Sequence, residues 1–193
     1  ELSKPPVVTL NAGAARALTL DEKASSGTQY AFTYIAAGDE PQGVESAISI
    51  VLSDKSGNES GKLSGKSVKF DFVAPDLVDM TVAGSPVNKD GTATVTFTVN
   101  ETPASAPVVK LATGELLSMS GEPKDDKYTF TYKPTENESE DTAGIGVTVG
   151  LVDGAGNEKN GIALGAIVFD FVKSALSGAP VVTPTVARNG EPV

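Results

Sequence analysis

The chain has 193 residues, with 20 Gly, 12 Pro, 39% hydrophobic and 21% charged residues, which suits a folded, turn-rich chain of one large or two small domains. It contains no His, no Cys and no Trp, which excludes Cys-His zinc sites, thiol nucleophiles, Ser-His-Asp triads and imidazole acid-base chemistry. A formal charge of −10 and only two arginines, Arg16 and Arg188, argue against nucleic acid and anionic lipid as partners, and no run approaches the roughly 18 apolar residues of a membrane helix.

Taken in chain order, the apolar residues alternate with polar ones at period two, the pattern of strands with one buried face. Tyr30/Phe32/Tyr34, Ile48/Ile50/Leu52 and Val68/Phe70/Phe72 form three such sets in the first part of the chain. Further strands are predicted near 78–83, 92–99, 106–111, 114–120, 127–132, 144–152 and 166–172, the clearest being Thr92–Val99, where Ala93, Val95, Phe97 and Val99 share one face. The intervening Gly, Asp, Asn and Ser mark turns, and the whole predicts an all-β protein of two-sheet sandwiches.

The chain also repeats itself. Tyr30-Ala-Phe-Thr-Tyr34 returns as Tyr128-Thr-Phe-Thr-Tyr132 at an offset of 98, while Asp54–Glu59 returns as Asp153–Glu158 and Phe70–Val73 as Phe169–Val172 at an offset of 99. Pro6-Val-Val-Thr-Leu10 matches Pro107-Val-Val-Lys-Leu111 at 101. A period near one hundred residues is that of an immunoglobulin-sized unit. Residues 74–173 make one complete unit of about seven strands, residues 1–73 make a unit lacking its first two strands, and residues 174–193 form a tail that echoes the start of a further repeat, Ala179-Pro180 and Thr185–Ala187 matching Ala74-Pro75 and Thr81–Ala83.

The succession Ala74-Pro75, Thr92–Glu101, Tyr128–Tyr132, Val152–Asn157 and Phe169–Phe171 resembles the tandem bacterial immunoglobulin-like repeats of large cell-surface and adhesin-type proteins. The resemblance spans nearly the whole chain. It implies Greek-key sandwiches in tandem and an extracellular setting, and it names no particular ligand.

Few residues offer chemistry. The turns Asp54–Asn58 and Asp153–Asn157 are read as Asx-turns between the last two strands of each unit, with Asp54 or Asp153 as a candidate oxygen ligand for calcium. Calcium between successive units, a feature of adhesins of this kind, would point to Asp71 and Asp76 flanking Val73-Ala-Pro75; the matching junction after Asp170 carries Lys173 and no second acid, which breaks the pattern. Asn58, Asn100 and Asn137 fit the N-glycosylation acceptor pattern in predicted turns. The acidic run Glu136–Asp141, like Gly38–Glu40, is read as a solvated loop, and most of the seven Phe and four Tyr, at alternate strand positions, as core.

No enzymatic activity or resident cofactor is therefore expected. The expected role is a structural spacer, stalk or filament-forming module of an exported surface protein, its partners being neighbouring repeats or other copies that donate a strand. Short junctions such as Val73–Pro75 would limit bending. Either a longer native chain supplies the first unit's two preceding strands itself, or the tail from Gly178 to Val193 of another copy is the donor, in which case head-to-tail donation would build open filaments. The alternatives are an adhesive module reading a glycan or a protein receptor with loops 35–43 and 133–143, and an accessory domain of a secreted hydrolase.

Overall fold

The computed structural model describes residues 2–178; the predicted donor tail, apart from its first residue, lies outside them. Among the described residues there are thirteen strands and no helix. The first six are β1 (Val7–Ala12), β2 (Ala14–Ala17), β3 (Thr19–Ser26), β4 (Gln29–Thr33), β5 (Glu45–Val51) and β6 (Leu63–Lys69). The other seven are β7 (Leu77–Ala83), β8 (Ala93–Val99), β9 (Val108–Leu111), β10 (Ser118–Met119), β11 (Lys127–Tyr132), β12 (Ile145–Val152) and β13 (Glu158–Ile167).

The chain divides into two compact units. The first comprises the chain up to Pro75 with Thr102–Ser105 and Leu151–Lys159; the second comprises Asp76–Glu101, Ala106–Gly150 and the chain from Asn160 on. In the first, an antiparallel sheet runs β2-β1-β5-β6 and a separate hairpin pairs β3 with β4. The later strands form an antiparallel sheet β10-β11-β8-β7 and a three-stranded sheet β13-β12-β9. This is the all-β architecture of antiparallel sheets that the alternation predicts.

Alternation becomes burial most clearly in β8 and β12. Ala93, Val95, Phe97 and Val99 are buried along one face of β8, and Ile145, Val147, Val149 and Leu151 along one face of β12. Their partners in register are themselves alternating, Tyr128 opposite Phe97 and Phe130 opposite Val95, so that Phe97 stacks on both Tyr128 and Phe130 with ring centroids 5.7 and 5.8 Å away. Such cross-strand aromatic pairs are the unit of sheet stabilisation.

The last strand needs correction. The sequence places it at 166–172, whereas β13 spans Glu158–Ile167. Alternation reports which side chains are buried, and burial continues past the ladder: Phe169 is 1% exposed, held by a single parallel bridge to Val87. The amide of Val87 donates to the Val168 carbonyl at 2.9 Å and that of Asp170 to the Val87 carbonyl at 3.1 Å. The predicted strand 114–120 likewise shrinks to β10, with Leu116 bridging to Lys110. The first unit has six strands where five were expected, because Ala14–Ser26 forms both β2 and β3.

Most aromatic residues are expected in cores, and the exceptions cluster in the first unit. Tyr128, Phe130 and Tyr132 on β11 are buried, but their counterparts on β4 and just beyond it are not: Tyr30 is 36% exposed, against 6% for Tyr128, and Phe32 and Tyr34 are only half-buried. β11 has β8 on one side and β10 on the other, whereas β4, among the described residues, pairs with β3 alone. The difference between two nearly identical sequences is thus the neighbouring strand.

Candidate functional site

Two polar devices recur in both repeats. The first is a tyrosine-glutamate pair six residues apart. The Tyr34 hydroxyl donates to Glu40 Oε1, and the Ala37 and Gly38 amides donate to the same carboxylate, each at 2.9 Å. In the later repeat the Tyr132 hydroxyl donates to Glu138 Oε1 at 2.5 Å, and the amide and hydroxyl of Thr135 donate to it at 3.0 and 2.9 Å. Each glutamate folds the loop after its strand back onto the strand's last tyrosine. Glu40 is 4% exposed and also meets Arg16 of β2, whose Nη1 lies 3.5 Å from Oε1, while Arg16 Nη2 binds Asp39 at 2.9 Å.

The ionisation of these groups follows the contacts. The Ala37 amide first, then the Tyr34 hydroxyl, hold Glu40 down at about 2 in spite of burial. For Glu138, burial works against the charged form, but hydrogen bonds from Tyr132 and Thr135 outweigh it and also leave the group at about 2. Burial, with Glu138 second, pushes Tyr132 upward. These carboxylates are ionised backbone anchors. The solvated-loop reading of 38–40 and 136–141 is therefore wrong for Glu40 and Glu138, though it suits exposed Glu136 and Asp141.

The second device is the predicted Asx-turn. Asp54 Oδ1 accepts from the Ser56 and Asn58 amides, both at 2.8 Å, and Oδ2 from Asn58 Nδ2 at 2.9 Å. Asp153 repeats this with Ala155 and Asn157, at 2.8 Å throughout. The asparagine side chain is the main reason that both aspartates are held below the usual carboxylate range. Each turn joins the last two strands of its repeat, as the spacing predicts.

Of the calcium candidates, Asp54, Asp71 and Asp76 do not converge. Asp54 is engaged by its own turn. Asp76 lies at the start of β7, where its amide donates to Asn100 Oδ1 at 2.7 Å and its Oδ1 accepts from the Leu77 amide at 2.9 Å. Asp71 Oδ1 accepts from Gln42 Nε2 at 2.5 Å, and the Asp71 carbonyl accepts from Asn157 Nδ2 at 3.1 Å, within the first unit. Its carboxylate comes within 4.8 Å of that of Asp153, the other turn aspartate considered for calcium, an approach that sequence spacing could not reveal. Millimolar Ca²⁺ is expected to raise the melting temperature by no more than about 2 °C. A larger rise, abolished in Asp71→Ala, would establish a metal site there.

Of the glycosylation candidates, all three asparagines are exposed. Asn58 commits its Nδ2, the atom a glycan would take, to Asp54. Asn137 Nδ2 makes a long contact of 3.4 Å to Thr135 Oγ1, and Asn100 uses its Oδ1 to receive the Asp76 amide.

The remaining candidate is a groove in the first unit. A cavity of about 290 Å³ is lined by Leu10, Leu18, Phe32, Tyr34, Ile48 and Phe70, with Ala36 and Val68 completing it. Among the described residues, Leu10, Ala12 and Phe70 are buried in the core cluster at the groove, with Leu18, Tyr34 and Ile48 packed against them. Apolar walls without a converging set of ionisable groups suit an apolar chain segment rather than a reacting substrate. Set against known proteins, the chain matches no family model and no curated protein.

Proposed function

We propose that this chain is a mechanical element: tandem immunoglobulin-like sandwiches of an exported surface protein that serve as spacer, stalk or filament module, without catalysis. The observation that carries this reading is the inward wiring of the polar groups, repeated in both halves. Tyr34–Glu40 and Tyr132–Glu138, Asp54–Asn58 and Asp153–Asn157 all spend their hydrogen bonds on the chain's own loops and turns. Loops tied down in this way favour load-bearing over adaptable recognition. The sheet orders β10-β11-β8-β7 and β13-β12-β9 support an immunoglobulin-like arrangement, since four strands with three is the constant-type pattern. The sequence resemblance carries the proposed location at the cell surface.

Two measurements test the reading. Extended by its ends in a single-molecule experiment, the chain should resist and then give way in abrupt cooperative steps rather than by gradual lengthening. Screened against glycans and surface-receptor proteins, it should show no affinity that depends on residues 35–43 or 133–143. A specific affinity lost when those loops are replaced by Gly-Ser segments would overturn the spacer reading in favour of the adhesive one.

A further inference from the structure

We propose that the first unit is a strand acceptor: its open β4 edge takes an extended segment of the β8 type, with small, Val, Phe and Val side chains at alternate positions, added antiparallel. This rests on the reading of the chain as a module that builds larger assemblies, and it specifies what joins and where.

The template for the missing partner lies in the same molecule. β11 and β4 carry nearly the same residues, Tyr128-Thr-Phe-Thr-Tyr132 and Tyr30-Ala-Phe-Thr-Tyr34. On β11 the partner is β8, in the register Tyr128 opposite Phe97, Phe130 opposite Val95 and Tyr132 opposite Ala93. That strand leaves all three aromatic side chains buried. On β4 no strand occupies the corresponding edge among the described residues, Tyr30 is 36% exposed, and the cavity lined by Phe32, Tyr34 and Phe70 opens in its place. The ring packing below is already in position. Tyr34 meets Phe70 edge-on at 6.1 Å, as Tyr132 meets Phe169 at 6.0 Å. Transferring the register, an incoming strand sets its Phe opposite Tyr30, its central Val opposite Phe32 and its small residue opposite Tyr34.

The chemistry of the occupant follows. It needs free backbone N–H groups to continue the ladder, so proline is excluded from its centre. It needs apolar side chains on the face toward Leu10 and Phe70, and polar ones on the other, as the threonines of β8 provide. Thr92–Asn100 meets these demands. The tail from Ala179 does so less well, because Pro184 interrupts its run.

The test uses the whole chain with a synthetic peptide of the sequence Thr92–Asn100. Added at 100 times its Kd, the peptide should slow hydrogen exchange at the β4 amides about 100-fold, where exchange requires its release. A second version, with Thr92–Asn100 fused ahead of Glu1 through a flexible Gly-Ser linker, avoids any loss of free peptide to self-association. It should protect the same amides and bury Tyr30. A peptide or fusion of the same composition with the alternation scrambled should do neither. Equal effects from matched and scrambled sequences, or none from the matched fusion, would overturn the proposal. So would faster β4 exchange on deleting residues 179–193 from the chain alone, because the groove would then belong to the tail. Receptor binding plays no part in these outcomes, so strand acceptance and the spacer reading fail separately.

Discussion

Phe130→Ala is expected to lower the stability of the second unit by about 3 to 5 kcal/mol, whereas Phe32→Ala, at the matching position of the other repeat, should cost only about 1 to 2 kcal/mol. Phe130 is 3% exposed and stacks on Phe97 at 5.8 Å, so truncation opens a void that surrounding strands on both sides cannot fill. Phe32 already borders a cavity of about 290 Å³ and is half-buried, so its removal gives up less contact. Denaturant unfolding of the two variants, followed by probes in each unit, measures both costs. Similar losses at both positions would mean that the first unit is closed in solution. Supplying the matched strand should raise the cost of Phe32→Ala toward that of Phe130→Ala, which ties this result to the acceptor proposal.

How much could be read beforehand divides along physical lines. Period-two alternation is a record of one-sided burial, so Thr92–Val99 and Tyr128–Tyr132 declare themselves as strands. The repeat offsets of 98 to 101 similarly declare which strands of the second unit have counterparts among residues 1–73. Alternation does not record hydrogen bonding, which is why the last strand is expected at 166–172 although the continuous strand ends at Ile167 and Phe169 is buried beyond it on a single bridge to Val87. Composition misleads in the acidic loops. Glu136, Glu138, Glu140 and Asp141 look alike as a charge run, yet Glu138 alone receives a tyrosine hydroxyl and the Thr135 amide. A usable sign existed, since Tyr34 and Glu40 recur as Tyr132 and Glu138 with the same spacing and the same offset of 98. The approach of Asp71 to Asp153 had no such sign, being a contact across 82 positions of sequence.

Acid should expose the glutamate anchors. Glu40 and Glu138 are each held at about 2 against an ordinary value of 4.5, so the unfolded chain binds their protons more readily than the folded one. Their contribution is therefore fully present above about pH 4.5 and is lost progressively as the pH falls toward 2. Glu138→Gln keeps the shape but removes the charge that the Tyr132 hydroxyl and Thr135 amide address, and at neutral pH it should cost on the order of 1 kcal/mol once solvent screening is allowed for. The decisive readout is the difference from the unaltered chain as a function of pH. That difference should be greatest at pH 6 to 7 and should close as the pH approaches 2, because acid neutralises the glutamate that the substitution has already replaced. Tyr132→Phe should follow the same course from the donor side, losing its effect over the same window. A difference that stays constant from pH 7 to 2 would show that Glu138 acts through packing alone, and that the tyrosine-glutamate pair does not anchor the loop electrostatically.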